Sequence, residues 1–248
     1  MAIDSNAVIR GDYRKGNILC IPDMHVPYQH PDALKFIETL MQTYKPKLVV
    51  NLGDLLDFHG ISFHDSDPDL ESAGGELRKA RKIIKDYEAI VPNQYIIGSN
   101  HGDLPVRKFI ANGLPRDLLR TYNDIYDVGD GWRFVPDLTI ETDSKYLPDI
   151  YFVHGIRIDA LAAAKQRGQR VIQGHFHEQF RIQYAGNPNT LLWGINGGCL
   201  IDPVSLAFSY NKLNLNRPLL GATVICSGIP QLVPMILKKG GRWVGRLV

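Results

Sequence analysis

The chain has 248 residues, of which 44% are hydrophobic and 22% charged, as in ordinary soluble globular proteins. Its length allows one large domain, and its net charge of +2 is too small to indicate nucleic-acid or membrane binding by charge alone. Three cysteines without C-x-x-C spacing favour free thiols in a reducing compartment, and the polar segment 1–15 shows no signal peptide. We therefore expect a single cytoplasmic domain over residues 1–248.

The first half of the chain predicts strands that alternate with helices. Short apolar runs predict buried strands at residues 17–22, 47–52 and 94–98. Apolar residues at helical spacing predict helices at 31–44, 71–91 and 104–128, the last broken at Gly113 and Pro115. Such alternation is typical of a parallel α/β core.

The second half changes to short strand-like runs. Strands are expected at residues 133–135, 138–142, 150–153, 171–173, 180–184, 191–195, 222–226, 233–236 and 242–244, and one helix at 159–167. The uncharged stretch 219–237 is nearly long enough to span a bilayer, but its glycines and prolines favour two buried strands with a turn near Ser227 and Gly228. We expect two sheets packed face to face, with helices outside.

Five short polar pieces each follow an apolar run, where a predicted strand ends. They are Asp23-Met24-His25, Gly53-Asp54-Leu55-Leu56-Asp57, Asn100-His101, His154-Gly155 and Gly174-His175-Phe176-His177. Sites in open α/β sheets assemble at the carboxyl ends of the strands. Residues two apart in extended chain share a face, so both ends of a D-x-H or H-x-H piece can turn toward one point. Imidazole, carboxylate and amide ligands suit divalent metals, and the set predicts a two-metal hydrolase.

This ordered set resembles the signature of the calcineurin-like metallophosphoesterases over residues 17–177. The resemblance implies a four-layer αββα sandwich, an α/β fold of two mixed β-sheets flanked by helices, with a dinuclear site at the strand ends. It implies that one metal ion is held by Asp23, His25 and His177, the other by Asn100, His154 and His175, and that Asp54 bridges both. His101 would lie off the metals and act on the leaving group or the phosphoryl oxygens. The segment 197–200 with Pro203 is similar to phage and prophage members.

The chemistry of such a site follows from its ligands. They suit Mn²⁺, which we favour, or Fe, Ni, Co or Zn. Two such ions about 3.5–4 Å apart would polarise the phosphoryl oxygens and lower the pKa of a bridging water, whose hydroxide would attack phosphorus. An unperturbed histidine has a pKa of about 6.5, so His101 could protonate the departing alkoxide. We expect Asp57 to orient a metal ligand, and His59 or, less so, His64 to face the substrate.

Two departures from the family pattern lie beside the expected site. Phe58-His59-Gly60 stands where protein phosphatases of the family have Asp-Arg-Gly, which disfavours a phosphoprotein substrate. Gly102 stands where the family has an acidic residue that would orient His101, so we expect either a changed basicity of His101 or the same role for Asp103.

The sequence therefore predicts a dinuclear phosphoesterase that acts on phosphomonoesters or phosphodiesters of small or nucleotide size. Nucleotides are favoured by the phage-like resemblance, which would place the protein in a host cytoplasm. The first alternative is a DNA or RNA nuclease, which would need a basic groove. Its candidates are the run 78–85, Arg116, Arg120, Arg167, Arg170 and Lys238-Lys239, although the run 78–85 reads better as the solvated face of a helix. A protein phosphatase and a non-catalytic metal-binding scaffold are further alternatives. The sequence specifies neither the substrate nor the oligomeric state.

Overall fold

The computed structural model describes residues 6–63, 69–142, 147–205 and 217–247. The strands are β1 (Ala7–Arg10), β2 (Asn17–Ile21), β3 (Leu48–Asn51), β4 (Gln94–Ile97), β5 (Trp132–Val135), β6 (Leu138–Glu141), β7 (Ile150–Val153), β8 (Arg170–Gln173), β9 (Phe180–Gly186), β10 (Leu191–Gly197), β11 (Gly221–Cys226) and β12 (Ile229–Pro234). The helices are α1 (Ala33–Tyr44), α2 (Ala73–Ile90), α3 (Leu104–Ala111), α4 (Tyr122–Tyr126) and α5 (Ala160–Arg167), and short 3-10 turns lie at Tyr13–Lys15, His59–Ile61 and Arg116–Leu118.

These strands form two mixed sheets of six strands each. The first sheet has the order β12-β11-β2-β3-β4-β5, with β2, β3, β4 and β5 parallel and β11 antiparallel to β2. The second has the order β1-β6-β7-β8-β10-β9, with β7, β8 and β10 parallel. Parallel strands of the two sheets supply the five polar pieces, so the topology determines where these pieces meet.

The core consists of apolar layers on both faces of each sheet. Cys20 and Val50 of the first sheet share one buried cluster with Phe152 and Ile172 of the second, so the sheets pack face to face. Helices α1 and α2 cover the outer face of the first sheet, and α5 packs its alanines against the outer face of the second. This arrangement confirms the expected sandwich of two mixed sheets flanked by helices.

Most of the predicted elements are confirmed, and the uncharged stretch 219–237 forms the β11–β12 hairpin. The strand expected at 242–244 is wrong, because glycines with positive φ at 240, 241 and 245 bend the chain and leave one isolated bridge between Trp243 and Leu237. Strand β1 was not predicted. It is a four-residue edge strand whose only partner in the described residues is β6, and so short a run is indistinguishable from a polar terminus.

The basic run 78–85 lies on helix α2. Ala80, Ile84 and Tyr87 are buried on one face of the helix, and the lysines at 79, 82 and 85 are exposed on the other. This confirms the solvated face of an amphipathic helix. None of the helices in the described ranges is long and apolar enough to cross a membrane.

A buried carboxylate connects the start of α1 to the C-terminal segment. Asp32 is 8% exposed and accepts hydrogen bonds from Arg242, whose Nε lies 2.7 Å from Oδ2, and from the backbone N–H of Trp243 at 2.9 Å. His30 Nε2 lies 2.8 Å from the carbonyl oxygen of Gly241. The Arg242 guanidinium holds the pKa of Asp32 well below its usual value.

We expect Asp32→Asn to lower the free energy of unfolding at pH 7 by about 1.5–3 kcal/mol, the usual contribution of hydrogen bonds to a charged group. Because the folded pKa of Asp32 is depressed, its contribution is complete above the unfolded pKa of about 3.9 and is lost as the pH falls through the folded pKa. Urea denaturation should therefore show a difference between wild type and variant that narrows from pH 5 to pH 3. Asp12→Asn, which breaks the exposed pair with Arg14, is the control and should change little.

Candidate metal centre

The five polar pieces meet at one edge of the sandwich. Strands β2, β3 and β4 of the first sheet and β7 and β8 of the second all end there, and each piece directly follows its strand. The structure brings together the seven residues for which a ligand role was expected, namely Asp23, His25, Asp54, Asn100, His154, His175 and His177.

Three of these residues have left-handed backbone conformations, which L-residues adopt rarely. The φ angles of His25, Asp54 and His175 are 50°, 42° and 69°. Hydrogen bonds hold them in place: His25 N donates to the Asp54 carbonyl at 2.9 Å, and Asp54 N donates to Ser99 Oγ at 2.9 Å. His175 N donates to Asp23 Oδ2 at 2.7 Å. Such conformations cluster at functional sites, where the surrounding structure maintains them.

The side chains form three groups, each of which could hold a metal ion, and two of these groups contain Asp54. The first is Asp23, His25, Asp54 and His177, and the second is Asp54, His154 and His175; within a group, one ligand atom of each residue lies within 4.8 Å of the others. In the second group, His154 Nε2 lies 3.1 Å from Asp54 Oδ2 and 2.8 Å from Asn100 Oδ1. Asp54 is common to both groups.

The charges of the site favour cations. Burial alone would raise the pKa of Asp54, but the imidazoles of His154, His25 and His101 outweigh it and hold that pKa well below its usual value. Burial likewise opposes protonation of His154, but Asp54 and Asp23 outweigh it and raise its pKa to about 9. The buried carboxylates therefore stabilise positive charge where the imidazole nitrogens converge.

The other two imidazoles differ from each other. Burial and the neighbouring His154 lower the pKa of His175. Burial would also lower the pKa of His177, but its contact with Asp23, at 3.0 Å, outweighs it and raises that pKa.

The surroundings of one buried carboxylate oxygen indicate whether these residues fit a metal ion. Asp23 Oδ1 is buried and accepts no hydrogen bond from any residue that the structure describes. An unsatisfied buried carboxylate oxygen is costly, and a bound cation would remove that cost. Nitrogen and oxygen donors also match the preferences of divalent transition metals, so the residues present fit such ions.

Asp57 lies behind the first group. Its Oδ1 is 2.6 Å from His25 Nδ1, which leaves Nε2 of that ring on the side of Asp54. His59 Nδ1 lies 3.7 Å from Asp57 Oδ2, so His59 faces this carboxylate. The orienting role of Asp57 stays a prediction. His64 lies outside the described residues.

Two supporting residues were not found from the sequence. Glu76 is buried and accepts hydrogen bonds from the backbone N–H groups of His59 and Gly60, at 3.0 and 2.8 Å. Ser99 Oγ accepts from the N–H groups of Asp54 and Gly102. The available signal for Glu76 was its position four residues before Ala80, on the buried face of α2.

His101 belongs to neither of the two groups that contain Asp54, but it forms the third group with His25 and Asp57, in which one ligand atom of each residue lies within 4.8 Å of the others. Its Nδ1 lies 2.5 Å from the carbonyl oxygen of Asp57, and a nitrogen that faces a carbonyl must carry the proton. Its backbone N–H donates to Asp54 Oδ1 at 3.1 Å. The side chain is partly exposed, so Nε2 remains for a ligand. Asp103, the expected alternative, accepts a hydrogen bond from Tyr122 Oη at 2.8 Å through its Oδ1.

Comparison with known proteins finds one matching family model and several distantly similar solved structures. A model of the calcineurin-like phosphoesterase family matches residues 16–194. No curated protein sequence matches the chain. Vacuolar Protein Sorting 29 from Cryptosporidium parvum is 15% identical, with 91% of this chain and 93% of that chain covered and a TM-score of 0.46.

Two further solved structures are similarly distant. Chaetomium thermophilum Vps29 is 12% identical, with 94% of each chain covered and a TM-score of 0.48. Yfce, a phosphoesterase from E. coli, is 10% identical, with 94% of this chain and 98% of that chain covered and a TM-score of 0.38. All three TM-scores are below 0.5, so the assignment to a family depends on the sequence match.

Proposed function

The chain belongs to the calcineurin-like phosphoesterase family, and on that basis we propose that it is a dinuclear metal-dependent hydrolase of phosphomonoesters or phosphodiesters. The observation that carries the proposal is that Asp54 belongs to two candidate ligand groups, one with Asp23, His25 and His177 and the other with His154 and His175. Asp23, His25 and His177 would hold one ion with Asp54. Asn100, His154 and His175 would hold the other.

Different residues of the chain would have different roles in such a reaction. Bound divalent ions would supply Lewis acidity toward the phosphoryl oxygens and lower the pKa of a coordinated water. Asp57 fixes the ring of His25 through Nδ1, and the Asp57 carbonyl fixes the ring of His101. His101, when protonated on both ring nitrogens, would donate its Nε2 proton to the leaving oxygen.

We favour Mn²⁺ as the metal, with Fe, Ni, Co or Zn as alternatives, because the donor set suits all of them. Nucleotide-type substrates, the phage-like character of segment 197–203 and a cytoplasmic location remain predictions. The nuclease alternative stays a prediction, and two of the basic residues expected to form its groove contact tyrosines of the chain. Arg170 is buried and donates to Tyr13, and Arg167 lies over the ring of Tyr151.

An activity panel tests the proposal. Metal-stripped protein should be inactive, and addition of Mn²⁺ should give two bound ions per chain and hydrolysis of at least one phosphoester. The panel compares an aryl phosphomonoester, an aryl phosphodiester, nucleotides and single-stranded DNA, with metal content measured in the same samples. Protein that carries two ions and hydrolyses none of them would contradict the proposal and favour a scaffold.

A further inference from the structure

The loop that follows His154 exposes two isoleucines within four residues of this candidate ligand. Ile156 is 47% exposed and Ile158 50% exposed, with the exposed Arg157 between them. Single exposed apolar residues are common on protein surfaces and need no function. These two differ from such residues in how their backbone is held and in what lies next to them.

Two fully buried amide side chains hold the loop. Gln173 Oε1 accepts from Ile156 N at 3.0 Å, and Gln173 Nε2 donates to the carbonyl of Arg157 at 2.6 Å. Asn196 Nδ2 donates to the carbonyl of Ile158 at 3.0 Å, and the two amides bond each other at 2.7 Å. Buried amides are costly unless they are hydrogen-bonded, so this network specifies one loop conformation.

The same loop lies directly against a candidate metal ligand. A Cβ atom at Gly155 would lie 2.8 Å from His175 Cβ, so glycine is needed where the loop passes this histidine. The loop begins at His154, whose Nε2 is in the second ligand group. The isoleucines are therefore two and four residues from a candidate ligand, on a backbone that cannot easily move away.

We propose that Ile156 and Ile158 form an apolar rim that binds the bulky organic substituent of the substrate while its phosphoryl group lies at the metals. The substrate class is then a phosphoester with an aromatic or other large apolar substituent. This inference rests on the proposed function for the position of the phosphoryl group. The rim removes apolar area of the substituent from water, which favours large substituents over small ones.

The binding of phosphonates tests the rim, because it can be measured without hydrolysis of a substrate. Binding of phenylphosphonate and of methylphosphonate is measured by titration calorimetry on Mn²⁺-loaded protein. Wild type should bind the phenyl compound about 10-fold more tightly, a typical effect of apolar contact in a binding site. The double variant Ile156→Ser/Ile158→Ser should lose this preference, but keep its affinity for methylphosphonate and its two Mn²⁺ ions.

The control is Ile229→Ser. Ile229 is 64% exposed and pairs with Cys226, which in turn pairs with Asn17 at the amino end of β2, on the edge away from the site. This variant should behave as wild type. The rim is overturned if wild type shows no preference, if it does not bind phenylphosphonate, or if the double variant keeps the preference. Phosphonate binding does not require hydrolysis, so an inactive protein would contradict the proposed function separately.

Discussion

Asp54→Asn is expected to reduce metal binding at both positions and to lower phosphoesterase activity by at least about 10³-fold. Asp54 belongs both to the group of Asp23, His25 and His177 and to the group of His154 and His175, and three imidazoles hold its pKa low. Asparagine has the same shape but no negative charge, so two ions could no longer share it. Removal of any other member of these two groups would affect only one of the two.

Metal content per chain and kcat/KM, measured on the same Mn²⁺-loaded samples, check this expectation. Asp149→Asn is the matched control, because Asp149 precedes the amino end of β7, at the edge of the sandwich opposite the site, where it accepts a hydrogen bond from Thr142 N. That variant should keep two ions and near wild-type activity. If Asp54→Asn kept both ions and full activity, the shared position of Asp54 would have no functional meaning and the dinuclear proposal would fail.

The sequence was sufficient to predict that the five polar pieces meet at one edge, because the strand topology brings them there. Each polar piece follows a short apolar run, and the carboxyl ends of parallel strands lie at one edge of a sheet. The assignment of these residues to two metal ions came from the family resemblance and stays a prediction. Local sequence was sufficient for these features because each piece is contiguous with its strand.

The contacts that hold the pieces in position were not predictable, because they join residues far apart in the chain. His175 N donates to Asp23 Oδ2 across 152 residues, and no local pattern pairs them. Glu76 lies on a helix and holds a loop 16 residues earlier through backbone N–H groups, which leave no trace in the side chains of that loop. Left-handed backbone at Asp54 is equally invisible, since aspartate gives no signal comparable to glycine.

The structure gives a physical reason for one departure from the family pattern, the glycine at position 102. The missing acid after His101 is Gly102, and a Cβ atom there would lie 2.9 Å from Ser99 Oγ, the group that accepts from Asp54 N. A larger residue at 102 would thus disturb the backbone of the shared ligand. His101 is oriented instead by the Asp57 carbonyl, so its position does not depend on a neighbouring carboxylate.

His101→Ala is expected to lower kcat by about 10²–10⁴-fold for an ester with an alkoxide leaving group, the usual contribution of a general acid, with both metal ions still bound. An alkoxide must be protonated as it leaves, whereas a nitrophenolate is stable as an anion. The loss should therefore be much smaller for a nitrophenyl ester of the same phosphate. Both substrates and the metal content are measured on one preparation of each protein.

The pair of substrates separates the two roles that His101 could have. A larger loss for the alkyl ester assigns the proton to the leaving group, in agreement with the partly exposed ring and the Nδ1 contact to the Asp57 carbonyl. Equal losses would place His101 against the phosphoryl oxygens, which carry charge whichever group leaves. Unchanged kcat for both esters would exclude His101 from the reaction, because its ring then contributes to neither the charge nor the proton balance of the step.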